Sequence, residues 1–284
     1  MHWQTSRYSI DLSRPRVMGI VNVTPDSFSD GGRYASTRCA LAHCEQLVAQ
    51  GADILDLGGE SSRPGSPPVT VEDELARVLP VLREAVSLGV PVSVDTYKPE
   101  VMHQALDLGC DIINDIWALR RPGAREAVAA HPSCGVCLMH MHGEPQTMQR
   151  SPMEGDAVAQ VLEFLRRETA SLRSLGVDSA RIAWDAGIGF GKTVEQNFDL
   201  LARQALLLSD GYPLLAGWSR KSSLGTVTGL PVNERLAPSL AAALLAAERG
   251  ARILRVHDVR ETVAALKVFN AMQAADAAPV ETKT

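Results

Sequence analysis

The chain has 284 residues, 45% of them hydrophobic and 21% charged, enough to bury a large core. Its formal charge of -5 and pI near 5.8 exclude the basic stripe of a nucleic-acid binder, so any anionic ligand must be met by local cations. MHWQTSRYSI lacks the apolar core of a signal peptide, and no apolar run approaches the roughly 18 residues of a membrane span; a cytoplasmic protein with no membrane partner is expected.

Val17 to Val21 is a short apolar run without polar alternation, the pattern of a strand covered on both faces, and it ends at Asn22. The loop that completes MGIVNVTPDSFSDGG (Met18 to Gly32) closes on paired glycines. Ser36 to Gln50 has helical spacing, with Ser36 as N-cap and Gly51 past its end. A second strand, Asp53 to Gly59, leaves through ESSRPG, Glu60 to Gly65. Thr70 to Leu88 reads as a helix opened by a Thr-x-x-Asp box and kinked or broken near Pro80. The third strand, VPVSVD, ends on Asp95, and Pro99 begins the next helix, where its missing N–H costs nothing.

The fourth strand, DIIND, ends on Asn114 and Asp115, and the fifth, GVCLMHMH, carries Met139, His140 and His142. An amphipathic helix from Asp156 to Leu175 leads to strand six, RIAWD, which ends on Asp185 before the glycine-rich AGIGFGK. Helix Val194 to Leu208 precedes strand seven, YPLLAG, whose exit is WSRKSSLG. Helix Asn233 to Arg249 then leads to strand eight, ARILRV, ending at Arg255, Val256 and His257. A last helix, Val259 to Ala275, runs into a short polar tail.

Eight strand-then-helix units without a linker or composition break read as an α/β chain, a (β/α)8 TIM barrel. One domain is expected over residues 1–284, its core at 16–275 between a short N-terminal cap and a C-terminal tail. Active sites of such barrels lie at the carboxyl ends of the strands. Those ends collect Asn22, Glu60 to Arg63, Asp95, Asn114, His140, Asp185, Ser219 to Ser222, Arg255 and His257. A barrel built only for stability has no reason to gather polar residues at one rim, so the pattern favours an enzyme.

Three motifs have competing readings. AGIGFGKT, Ala186 to Thr193, nearly fits a phosphate-binding P-loop, but Asp185 would stand at the phosphate, and a P-loop belongs in an open doubly wound sheet. His140 and His142 resemble a metal pair with no further ligands, so packing or hydrogen bonding is the expected use. Cys134 and Cys137 form a lone CxxC at the start of an apolar run; these and Cys39, Cys44 and Cys110 are expected as buried, reduced thiols. Read together, SSRPG and RVHD offer arginines, a histidine and hydroxyls for a pyrophosphate. Asp95, Asn114 and Asp185, at three strand ends, suit the donor edge of a flat heterocycle.

MGIVNVTPDSFSDGG, GGESSRPG, SVDTYKPEV, IIND, LMHMHG, GFGK, SRKS and RVHDV, in this order, resemble the dihydropteroate synthase family over Val17 to Thr262. Ser62 stands where threonine is common, keeping the hydroxyl, and Ala186 replaces a frequent proline. The resemblance implies a transferase of folate biosynthesis and a sulfonamide target. Such enzymes join 6-hydroxymethyl-7,8-dihydropterin diphosphate to p-aminobenzoate and release pyrophosphate. It implies pterin binding by Asp95, Asn114, Met139, Asp185, Lys221 and Arg255, and diphosphate binding by Ser61, Ser62, Arg63, Arg255 and His257. By the same resemblance Asn22 helps hold Mg2+, while Pro64, Phe190, Lys221 and Ser222 receive p-aminobenzoate. Asp30, Phe28 and Lys221 are then the catalytic candidates, in an SN1-like route with departure of diphosphate first. The Ala-rich stretch Ser239 to Gly250 has small residues on more than one face, which permits close helix packing and a homodimer contact.

Overall fold

The structure, a computed structural model, describes residues 1–24, 32–61 and 65–276. An antiparallel hairpin opens the chain, β1 (His2–Gln4) with β2 (Ser9–Asp11), Trp3 opposite Ile10. Eight parallel strands then close a barrel: β3 (Arg16–Asn22), β4 (Ile54–Gly58), β5 (Val92–Asp95), β6 (Ile112–Asp115), β7 (Gly135–Met139), β8 (Ile182–Asp185), β9 (Leu214–Ala216) and β10 (Ile253–Val256). They neighbour one another in chain order, and β10 closes on β3 with Arg255 beside Met18. The (β/α)8 reading of the sequence is the observed fold.

Side chains alternate across each strand, so every stave contributes to two different cores. Outward residues such as Val17, Val21, Leu55, Leu57, Val94 and Ile113 pack under the helices. Inward residues at the amino end (Met18, Ile54, Ile112, Cys137, Ala183, Leu215 and Ile253) form a separate apolar floor. The hairpin covers that floor: Trp3, Ile10 and Leu12 join it, and Trp3 Nε1 donates to the Arg181 carbonyl at 2.9 Å. Above the floor the inward positions turn polar.

The outer ring comprises α1 (Gly32–Ala49), α2 (Val71–Ala85), α3 (Pro99–Asp107), α4 (Ala124–Ala130), α5 (Ala157–Ser174), α6 (Val194–Ala202), α7 (Ser222–Thr228), α8 (Leu236–Glu248) and α9 (Val259–Asp276). Thr70 caps α2 by accepting from the Asp73 amide at 3.1 Å, as its Thr-x-x-Asp box predicts. The helix is not broken at Pro80, because Val78 on one side and Val81, Leu82 and Ala85 on the other are buried against the barrel. The single helix expected over Val194 to Leu208 is two pieces, α6 and a 3-10 turn at Gln204–Leu208. Gln204 causes the change of course by donating to the Ala246 and Arg249 carbonyls at 2.8 and 3.0 Å. Helix α4, too short to show a period, escapes the sequence reading.

All five cysteines are free thiols. Cys39 departs from expectation in being exposed; the other four are buried. Among the described residues no helix is long and apolar enough to cross a membrane.

Candidate active site

The polar upper half of the barrel surrounds one cavity of about 460 Å³. Strand ends from around the ring reach it: Asn22, Asp95, Asn114, Met139, Asp185, Arg255 and His257. Between them, loops and helix starts bring Ser61, Phe190, Lys221 and Ser222. Every described residue that the resemblance assigns to the site therefore lines the same space, whereas His140 from the rim set does not. Phe28, Asp30, Ser62, Arg63 and Pro64 lie outside the described residues.

Arg255 is the hub of its deepest polar layer. Its Nε donates to Asp56 Oδ2 at 2.6 Å and its Nη2 to Asp95 Oδ2 at 2.7 Å. Asn114 Nδ2 approaches the same Asp56 oxygen at 3.3 Å. Asp56 is fully buried, and its Oδ1 has no hydrogen-bond partner among the described residues. The sequence reading passed over Asp56 because it sits inside the apolar run ILDLG. Its signal was the period of two: Ile54, Asp56 and Gly58 share the inward face of β4.

Burial sets the charge balance here. It pushes the Asp95 carboxyl up to about 7, with Arg255 opposing and Asp56 adding to the shift. Burial also raises Asp185, whose Oδ1 accepts from the Gly187 amide at 2.7 Å. It lowers Lys221 to about 8, against the attraction of Asp185. The Arg255 guanidinium moves the other way because its two carboxylates outweigh the desolvation. The cavity thus holds carboxyl groups that are reluctant to ionise around one permanent cation.

The glycine-rich segment forms one wall. Lys192, buried and pulled down to about 7 by desolvation, turns back to the carbonyls of Gly187, Phe190 and His140 at 2.9, 3.2 and 3.4 Å. It holds the loop's own backbone and is not free for a phosphate, which removes the P-loop reading. Gly187 has φ of +66°, and a Cβ there would collide with the His140 carbonyl. His140 itself is buried edge-on against Phe164, and burial drives its pKa to about 2, so the imidazole is neutral. Among the described residues no group of three or more His, Cys, Asp or Glu could hold a metal.

Two further groups frame the rim. Lys98 pairs with both Glu60 and Glu74, and Tyr97 donates to Glu60 Oε1 at 3.0 Å, anchoring the root of Ser61. On the opposite side Ser219 Oγ and His257 Nδ1 lie 3.0 Å apart. Arg235 also lines the cavity and donates to the Arg220 and Lys221 carbonyls at 3.2 and 3.5 Å. Neither Lys98 nor Arg235 was selected from the sequence, because each acts on a loop distant along the chain.

Carboxylates and an amide at depth, with an ammonium, hydroxyls and an imidazole above, suit a flat heterocycle with N–H donors on one edge and an anionic arm. Fold and site together define a barrel enzyme for such a compound. The pterin binding enzyme family matches residues 18–257. The dihydropteroate synthase of Neisseria meningitidis serogroup B is 49% identical over 276 residues, 95% of this chain and 97% of that protein. The Burkholderia cenocepacia dihydropteroate synthase, in a crystal structure with 7,8-dihydropteroate, is 50% identical with a TM-score of 0.89 and 97% of each chain covered. That of Xanthomonas albilineans, solved with 4-aminobenzoic acid, is 48% identical with a TM-score of 0.90, covering 98% of this chain and 100% of that one. The chain belongs to the dihydropteroate synthase family of pterin-binding enzymes.

Proposed function

We propose that the protein condenses 6-hydroxymethyl-7,8-dihydropterin diphosphate with p-aminobenzoate to give 7,8-dihydropteroate and pyrophosphate. The observation that carries this reading is the convergence of Asp95, Asn114, Asp185, Lys221 and Arg255 on one cavity, in a chain half identical to a synthase crystallised with 7,8-dihydropteroate. The test is incubation of the purified protein with both substrates and Mg2+. Pyrophosphate and dihydropteroate should appear together, and neither without the protein.

Asp95, Asn114 and Asp185 accept from the donor edge of the pterin, Lys221 donates to its acceptor atoms, Met139 packs on the ring and Arg255 stacks over it. Ser61, Ser62, Arg63, Arg255 and His257 grip the diphosphate. Mg2+ fits as an ion delivered by that diphosphate: Asn22 offers one hard oxygen at the rim, and magnesium keeps waters and phosphates as its other ligands. When bound, it neutralises charge on the leaving group. The p-aminobenzoate lies between Pro64, Phe190 and Lys221, with its carboxylate at Ser222.

An aryl amine needs little deprotonation to attack, so departure of the diphosphate is the difficult step. The C–O bond breaks first, and the pterin-conjugated cation is stabilised by the buried carboxylates and by Asp30, with Phe28 as the other catalytic candidate. Positional isotope exchange of the diphosphate bridge oxygen is expected without p-aminobenzoate. Its complete absence would count against this route.

Asp95 gives the binding step a pH dependence. Below about 7 the carboxyl carries a proton and presents a donor to the ring's donors; above it the acceptor is complete. Affinity for an unreactive pterin should therefore rise by up to about tenfold from pH 6 to pH 8, with proton release on binding. Calorimetry in buffers of different ionisation heat measures both, and a flat profile contradicts the assignment.

A cytoplasmic homodimer is part of the same reading. Helix α8 buries Ser239, Ala242, Ala243, Ala246 and Ala247 against its own barrel, so its other face is the one available to a second copy. Exposed Leu236, Leu245, Val268 and Met272 on α8 and α9 supply apolar surface there. Sedimentation should give about twice the 30.5 kDa chain mass, and Leu245→Arg with Val268→Glu should halve it.

A further inference from the structure

Asn197 is not among the residues that line the cavity, yet its hydrogen bonds join two walls of the site. It lies on α6, one residue beyond the Thr193/Gln196 capping box that already satisfies the helix start, so its side chain is not needed as a cap. The carboxamide is almost wholly buried, at 1% exposure, where an apolar residue would pack without desolvating a polar group. Each end has a partner. Oδ1 accepts from the Gly189 amide at 2.7 Å; Nδ2 donates to the Thr193 carbonyl at 2.7 Å and to Ser223 Oγ at 3.0 Å.

Those partners belong to different elements. Gly189 precedes Phe190 in the glycine-rich wall, and its φ of +81° lets the backbone pass close to Lys221, whose Cδ would stand 3.4 Å from a Cβ at Gly189. Ser223 follows Lys221 and Ser222 in the first turn of α7. Lys221 Nζ in turn rests 4.4 Å from the centre of the Phe190 ring. One carboxamide therefore spans the gap between the two surfaces that would clasp a flat aryl amine. Buried hydrogen bonds of this kind have narrow geometry, so they fix a spacing more tightly than apolar contact does.

We infer that Asn197 is a positioning residue that sets the width of the p-aminobenzoate slot between Phe190 and the Lys221–Ser222 turn, and so controls affinity for the second substrate alone. The inference rests on the reading of Phe190, Lys221 and Ser222 as that slot. The pterin edge is assigned to strands β5, β6 and β8, and the hydrogen bonds of Asn197 go instead to Gly189, Thr193 and Ser223.

Steady-state kinetics of the full-length protein separate the possibilities. Asn197→Ala should raise the KM for p-aminobenzoate about tenfold, with kcat changed less than about threefold and pterin affinity by calorimetry changed less than about twofold. Ser223→Ala, which cuts only the tie to α7, should move the same KM in the same direction by about threefold. Asn197→Asp keeps the acceptor for Gly189 but loses both donors, and should resemble Asn197→Ala. If both KM values rise together, or only kcat falls, Asn197 is a general structural residue and the inference fails. If Asn197→Ala does not fold, an unchanged p-aminobenzoate KM in Ser223→Ala overturns the inference by itself. Ser222→Ala tests the reading beneath: if it leaves that KM unmoved, the slot is wrongly located. If it raises the KM while the Asn197 and Ser223 variants do not, only the positioning role falls.

Discussion

Replacing Arg255 with methionine should lower the stability of the unliganded protein by about 3–5 kcal/mol, the usual cost of removing one member of a buried ionic set. The guanidinium satisfies Asp56 and Asp95 at once, through separate nitrogens 2.6 and 2.7 Å from their oxygens. Methionine fills much of the volume but leaves two carboxyl groups facing each other in a desolvated layer. The loss should depend on pH with a defined sign. Without the cation Asp95 holds its proton to higher pH than its present value of about 7. The folded wild type keeps the same proton up to about 7, so the variant's deficit is flat below that value and grows as pH rises from about 7 to about 9. Urea unfolding at both pH values measures this. Adding Asp56→Asn should restore part of the stability but none of the pterin affinity; an equal deficit at both pH values would exclude the charge account. Arg255→Lys is not a conservative control, since one ammonium cannot reproduce the fork that reaches both carboxylates.

Asp185→Asn acts on binding rather than on the fold. The asparagine oxygen can still accept from the Gly187 amide, the bond that aspartate makes at 2.7 Å, so the start of the glycine-rich wall is preserved. What changes is the atom offered to the ligand: an acceptor-only carboxylate becomes a group with two N–H donors, opposed to donors on the pterin. Loss of a charge-assisted hydrogen bond at a buried site is worth about 1.5–3 kcal/mol, so affinity for an unreactive pterin should fall by roughly a hundredfold. Calorimetry reads this directly, and unaltered affinity would falsify the assignment of Asp185 to the ring edge. Thermal stability should not fall, because the buried carboxyl is itself held above its ordinary pKa by desolvation.

The barrel was legible in the sequence for a specific physical reason. Strands covered on both faces must be short and continuously apolar, and several runs here end at a residue that could hydrogen-bond or carry charge, such as Asn22, Asp95 and Asp185. That one rule located both the staves and the rim. It also hid Asp56, a carboxylate in mid-strand, where a boundary marker does not look. Arg235 was invisible because its partners are carbonyls of the Arg220–Lys221 turn, reached only after the chain folds back. Lys192 was misleading for a related reason: in sequence it completes a phosphate loop, and only the packed loop shows its ammonium consumed by three carbonyls. Helix ends were blurred where side chains override local pattern, as Gln204 does beyond α6.

The hairpin of Trp3 and Ile10 stoppers the amino end of the barrel, and this governs traffic. With the apolar layer from Met18 to Ile253 beneath it and Trp3, Ile10 and Leu12 packed into that layer, the cavity holding Asp95, Asn114 and Asp185 opens toward the carboxyl rim and not through the barrel axis.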